Sequence, residues 1–295
     1  MKKIKISRAL RDNLIGYSFI GIWIVGFFIF MLYPFISSLV YSMSKVTILG
    51  TGIDIEYHGF KNFLQIFEIE EGFAFVEALI SFLKEVVFQV PVIIVFSVLI
   101  AVLLNREIKG RGFFRSIFFL PVIISSGPVI NELITQGAGG ANIFESYGFI
   151  SIIENTLNPG LAEPIVNLFS QIIIIFWFSG VQILIFLAGL QKVDRQIYEA
   201  AKVDGAGPWE SFWKITLPSL SSLVFVNVIY TIVLLSTFSE NEVIVQIKLN
   251  MFNINTGYGM ASAMAWVYFI IVMLMIGLVA LVFLPKQRRE RGLRR

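Results

Sequence analysis

Charged residues fall along this chain in bursts, separated by long runs that contain none. Uncharged runs lie between Asp12 and Lys45, Glu85 and Arg106, Arg115 and Glu132, Glu163 and Lys192, Lys214 and Glu240, and Lys248 and Lys286. A membrane-crossing helix needs about 20 apolar residues, because each residue adds about 1.5 Å toward a hydrocarbon core about 30 Å thick. The pattern predicts six helical spans, near 14–40, 76–104, 113–134, 165–190, 217–239 and 258–284. The third is short, holds Pro121 and Pro128 and runs into Glu132. It is kept because neighbouring helices can satisfy carbonyls freed by proline, and because dropping it breaks the charge alternation that follows.

That alternation sets the orientation. Lys2, Lys3, Lys5, Arg8 and Arg11 precede the first span. The second connection carries Arg106, Lys109, Arg111 and Arg115; the fourth carries Lys192, Arg195, Lys202 and Lys214. Six basic residues close the tail, from Lys286 to Arg295, whereas Lys45, Lys61 and Lys248 are all that the first, third and fifth connections hold. The bias predicts an all-α integral membrane protein with both termini cytoplasmic and a cytoplasmic helix between spans four and five. Three parts follow: a cytoplasmic segment 1–13, a membrane domain 14–285 containing a charged loop 192–216, and a basic tail 286–295. The apolar run after MKKIKISRAL is too long for a signal peptide and no A-x-A site closes it, so it reads as a retained span.

Composition agrees: 57% of the 295 residues are hydrophobic, 15% are charged and mean hydropathy is +0.81, too few charges to cover a water-facing surface. With no cysteine and a single histidine, His58, neither a thiolate centre nor a multi-histidine metal site can be built. There is no G-x-x-x-x-G-K-[ST], no H-E-x-x-H and no G-x-S-x-G. Glu77, Glu132 and Glu240 lie only near span ends, unlike the intramembrane carboxylates of proton-coupled carriers. The chain reads as a non-enzymatic pathway whose energy source lies elsewhere. The outer loops, about 43–75 and 135–164, are too short to fold as domains. FISIIENTL in the second can form a short amphipathic helix, although an ordinary loop is the expectation.

One cytoplasmic stretch breaks the apolar pattern: YEAAKVDGAGPWESFWKITLP, residues 198–218. Asp194 is placed to N-cap a helix running to about Lys202. Ala200 and Ala201 favour helix and leave room for a close neighbour, and Glu199 offers a charge to a basic partner. The run Asp204-Gly205-Ala206-Gly207-Pro208 should break the helix and start another. Trp209, Phe212 and Trp213 then form an aromatic stripe suited to a membrane interface, with Pro218 ending that helix. This suits a docking element, and equally a surface helix that only turns the chain.

Glu199-Ala200-Ala201-x-x-Asp204-Gly205-Ala206-x-x-Trp209-x-x-Phe212-x-x-Ile215-Thr216-Leu217-Pro218 resembles the EAA signature of permease subunits of binding-protein-dependent ABC importers, in the carbohydrate or maltose-type branch. Leu187-Ala188-Gly189-Leu190-Gln191, the stretch from Asn105-Arg106 through Leu120-Pro121, and Tyr258-Gly259-x-Ala261-Ser262-Ala263-Met264-Ala265-Trp266 carry the likeness over nearly the whole chain. Loop 135–164 and Lys84-Glu85 depart from it, while residues 24–38 (IVGFFIFMLYPFISS) are similar to the first permease of such a pair. The resemblance implies a second, similar permease subunit, two ATPase subunits that hold ATP-Mg, an extracellular solute-binding protein and a sugar substrate. It implies no cofactor on this chain and no nucleic acid. It places Glu199, Ala200, Ala201, Asp204 and Gly205 at the ATPase contact, in the inner (plasma) membrane of a prokaryote amid its lipid.

Sugars are held by aromatic faces and uncharged hydrogen-bonding groups. The spans offer Gln171, Trp177 and Gln182 on the fourth, Asn227, Tyr230 and Thr231 on the fifth, and Trp266 and Tyr268 on the sixth. Asn227, Tyr230 and Thr231 share a helical face. Gln182, Asn227, Tyr230, Thr231 and Trp266 are the substrate-path candidates; helix–helix hydrogen bonding is the other use of such residues. Glycerol phosphate, a peptide or phosphate are alternative cargoes, though anionic cargo would favour Lys or Arg in the spans. A stand-alone channel or enzyme is the remaining class.

Overall fold

The computed structural model describes residues 8–49, 52–68, 72–106, 110, 112–113, 116–117, 149–156, 158–239, 241–253 and 257–292. Most of the predicted third span and the glycine-rich stretch after it lie outside them. Helix α1 (Arg8–Phe27) passes through a π-turn (Phe28–Leu32) into α2 (Tyr33–Ser42). Strands β1 (Ser44–Leu49) and β2 (Gly52–Tyr57) and a short α3 (Lys61–Gln65) follow, then α4 (Phe73–Asn105). Next come α5 (Phe149–Thr156), α6 (Pro159–Leu190), α7 (Arg195–Val203), α8 (Pro208–Ser211), a second π-turn (Phe212–Thr216), α9 (Leu217–Ser219) and α10 (Ser221–Ser236). The chain closes with α11 (Glu242–Met251) and α12 (Gly257–Gly292).

Among the described residues, three stretches are single helices long and apolar enough to cross a membrane: Gly16–Ser42, Phe73–Asn105 and Gly257–Phe283. Two more candidates are bent, by 69° between Ile175–Leu190 and Arg195–Val203 and by 66° between Pro208–Ser219 and Ser221–Ser236. None of the most apolar window of Gly16–Ser42 is buried within the chain; Trp23 is 80% and Phe30 81% exposed. So long an apolar surface belongs against hydrocarbon or another chain.

The π-turns share a cause. Tyr33 and Leu217 each donate their N–H to the carbonyl five residues back, at Phe28 and Phe212, and each stands directly before a proline. A proline ring inside a helix collides with the carbonyl four residues earlier; widening the preceding turn relieves that collision and keeps the helix running. Pro218 therefore does not end its helix, as the sequence suggested. The break comes at Leu220, where the 66° bend falls.

The all-α expectation is amended at residues 44–57. β1 and β2 pair antiparallel with Ser44 opposite Tyr57 and Leu49 opposite Gly52. Val46, Thr47, Ile48, Ile53 and Ile55 are β-branched, which favours the pleated strand over helix. FISIIENT is likewise helix, not loop: Phe149, Ile152 and Ile153 recur at helical spacing.

The chain divides into two compact units. In the first (Met1–Ile80 with Glu242–Ile270), Ile66, Phe75, Met260, Ala263 and Met264 form the core. The buried Asn62 amide donates to the carbonyls of Ser42 (3.0 Å) and Ser44 (2.9 Å), satisfying a carbonyl left open at the end of α2. Gly259 lies so close to the Ser44 carbonyl that a Cβ there would collide with backbone. In the second (Ser81–Asn241 with Ile271–Arg295), Ile93, Ala101, Ile183, Phe186 and Leu220 are fully buried. Phe96 meets Phe176 edge-on at 4.9 Å between centroids, and Phe178 meets Phe238 at 5.1 Å.

Candidate coupling segment and buried polar cluster

Residues 191–220 hold every predicted coupling residue, all in the second unit. Asp194 caps α7: its Oδ1 accepts the Gln196 N–H at 3.0 Å, filling one of the orphan donors of the first turn. At the other end Ala206 N–H donates to the Ala201 carbonyl (2.9 Å) and Gly205 N–H to that of Lys202 (3.1 Å). This pair of bonds is a Schellman closure, with Gly205 left-handed at φ +85°. A side chain at 205 would be strained there, so the glycine is required by the turn. Asp204 supplies the C-cap. Gly207 N–H then donates to the Glu210 carboxylate (3.2 Å), opening α8 with Pro208 at its first position.

The predicted coupling groups lie mostly on the outside of this frame. Glu199 and Ala200 are exposed, Ala201 is half-buried, and Ile197 and Val203 add exposed apolar surface, Val203 at 88%. Glu210 and Lys214 form an exposed pair at 3.5 Å. Trp209, Phe212 and Trp213 contact one another, with Trp209–Trp213 centroids 5.6 Å apart. The sequence did not single out two further groups: Tyr198 Oη lies 2.9 Å from Thr216 Oγ1, and the Thr216 hydroxyl donates to the Ser211 carbonyl at 3.3 Å. Both lie in the quoted stretch, but nothing in their spacing reveals the bond.

The second feature is polar and enclosed. Gln182 on α6 donates through Nε2 to Thr231 Oγ1 on α10 (2.9 Å), and Thr231 donates to the Asn227 carbonyl (2.7 Å). All three side chains have no solvent exposure. Gln182 Oε1 and both amide atoms of Asn227 have no hydrogen-bond partner among the described residues. Tyr230, expected on the same face, is half-buried. Trp266 is in the first unit, where its indole N–H donates to Ser38 Oγ (3.2 Å) and its ring clusters with Phe35 and Phe269, which also meet each other. The side chain of Gln171 lies outside the described residues. Gln89 and Ser97 on α4, whose buried Oε1 and Oγ have no partner among the described residues, were missed although both interrupt an apolar stretch; Gln89 also donates to Glu85 at 2.6 Å.

An apolar helical chain carrying a capped, outward-facing EAA helix matches one family along most of its length. Residues 72–294 match the family described as binding-protein-dependent transport system inner membrane component, and the chain belongs to that family. It is thus a multi-pass inner-membrane subunit of a binding-protein-dependent transport system. Among its relatives is the probable ABC transporter permease protein YesP of Bacillus subtilis (strain 168), 32% identical, with 95% of this chain and 92% of the relative covered. The lactose transport system permease protein LacF of Rhizobium radiobacter is 29% identical over 76% of this chain and 74% of its own. The multiple sugar-binding transport system permease protein MsmF of Streptococcus mutans is 28% identical, covering 87% and 91%. In fold, the chain is similar to one in the crystal structure of a bacterial alginate ABC transporter in complex with an alginate pentasaccharide-bound periplasmic protein: TM-score 0.65, 17% identity, covering 92% of this chain and 94% of that one.

Proposed function

We propose that this chain forms half of the translocation pathway of an ATP-driven importer for a sugar or oligosaccharide. A second, similar permease completes the pathway, two cytoplasmic subunits bind ATP-Mg and hydrolyse it, and an extracellular binding protein delivers the cargo. The chain itself binds no cofactor. It crosses a prokaryotic inner membrane six times, with both termini and α7 on the cytoplasmic side. The observation that carries this reading is the exposed face of α7: Glu199 and Ala200 stand free on a helix held by caps at both ends. Glu199 would meet a basic residue of the ATPase, and the alanines would let its backbone approach. Sugar as cargo is supported by the neutral polar groups Gln182, Asn227 and Thr231, with Tyr230 and Trp266 as further candidates, and by relatives named for lactose and multiple sugars. Since Gln182, Asn227 and Thr231 are enclosed, cargo reaches them only when α6 and α10 part.

The test is co-purification after co-expression with the ATPase and permease subunits encoded beside this chain. Glu199→Arg is expected to reduce ATPase recovery by about tenfold or more, because like charges facing one another cost several kcal/mol. Full recovery with intact transport would sink the coupling reading. Flux that needs no ATP would favour a stand-alone channel, and uptake of anionic solutes alone would replace sugar as the cargo.

A further inference from the structure

The coupling helix has two covalent neighbours it could follow. It leaves α6 through residues 191–194 at 69°, and joins the next segment through 204–207. A joint of four residues that includes two glycines does not by itself transmit a push. A side-chain bond bypasses it.

We propose that Tyr198 and Thr216 form a latch that makes α7 and the segment leading into α10 move as one body. Their hydroxyls lie 2.9 Å apart across 18 residues of chain. Thr216 spends its one hydroxyl proton on the Ser211 carbonyl, so Tyr198 is the donor to Thr216. Thr216 is only 6% exposed, so the bond is largely shielded from water. From Thr216 the path continues through its carbonyl, which accepts from Ser219 Oγ (2.8 Å) and from the Leu220 N–H (3.2 Å). Leu220 is fully buried at the 66° bend. There it fits against Gly189 at the end of α6, where a Cβ would come within 3.2 Å of Leu220 Cδ2 and collide with Leu223. A displacement of α7 therefore passes through Tyr198 and Thr216 to Leu220, which turns on the Gly189 surface and carries the start of α10 with it. Contiguous bonded and packed groups of this kind carry energetic coupling. Tyr198 and Thr216 are positioning residues; neither meets cargo nor nucleotide.

The proposal rests on the reading of α7 as the ATPase contact, and its test separates the two. The chain has no cysteine, so cysteines introduced at Lys202 and Ser222 are its only sites for spin labels, with the partner subunits made cysteine-free. Both positions are exposed. In the co-expressed importer the distance between them is expected to be the same without nucleotide and after trapping with ATP and vanadate. In Tyr198→Phe the equilibrium constant for the latched arrangement is expected to fall roughly two- to tenfold, the net worth of one hydrogen bond, and the distance distribution to broaden. The ATPase should still co-purify, since Glu199 is untouched. Thr216→Val should broaden it too, and Thr216→Ser, which keeps the hydroxyl, should restore the wild-type width. An unchanged distribution in Tyr198→Phe, a wild-type distance that shifts on ATP trapping, or loss of the ATPase from Tyr198→Phe would each overturn the latch. Retention of the ATPase by Glu199→Arg overturns the coupling reading instead.

Discussion

The coupling segment and the buried polar cluster both hold polar groups in an apolar chain, and they satisfy them in opposite ways. In the coupling segment, caps and turns close over two to five residues, as in Asp194 with Gln196, Gly207 with Glu210 and Ala206 with Ala201. The charged groups are left facing water. In the cluster, Gln182 reaches Thr231 across 49 residues, and three amide atoms of Gln182 and Asn227 find no partner among the described residues. The first arrangement makes a stiff surface element ready for a partner. The second leaves buried hydrogen-bonding capacity unused, which is costly unless another state of the molecule uses it.

The largest effect that tests this contrast is expected from Asn227→Asp. An ionised carboxylate there would be enclosed without a cation, costing about 3–5 kcal/mol, and thermal denaturation of the purified importer should show a clear fall in stability. Asn227→Leu sharpens the point. Since neither amide atom is bonded among the described residues, stability should change by less than about 1 kcal/mol, while sugar uptake is lost if the amide meets cargo. Unchanged uptake would leave Asn227 as helix packing only.

Gly205→Ala comes next, placing a side chain at φ +85° for about 1–2 kcal/mol. The loss should be confined to α7, read as faster amide exchange over 195–206 with little change in melting temperature. Asp194→Ala removes the N-cap and should weaken the same helix by about 1 kcal/mol; exchange would quicken at its first turn, and Asp194→Asn should restore it. Lys214→Ala is the smallest: the exposed pair with Glu210 contributes less than about 0.5 kcal/mol, so stability and uptake should stay at wild-type levels. A large loss would show that Lys214 meets another subunit.

The sequence by itself determined the local structure of residues 194–210, because its bonds are local: an N-cap, a glycine needed at positive φ and a proline opening α8 are each readable within six residues. It also determined three long apolar helices, Gly16–Ser42, Phe73–Asn105 and Gly257–Phe283, since the length of such a run follows from the thickness of the bilayer. The hairpin at 44–57 was readable in its β-branched alternation, but a search for uncharged runs passes over strands. Tertiary structure alone decided the rest. The shared face of Asn227, Tyr230 and Thr231 follows from helical period, but Thr231 sits about 40° to one side of Asn227 and Tyr230 about 60° to the other. Only the helix packed against them selects which are buried. Gln182 is that helix's contribution, Trp266 goes to the other unit, and Tyr198 finds Thr216 only when two turns fold back together. Distant partners are chosen by packing, and no local pattern encodes the choice.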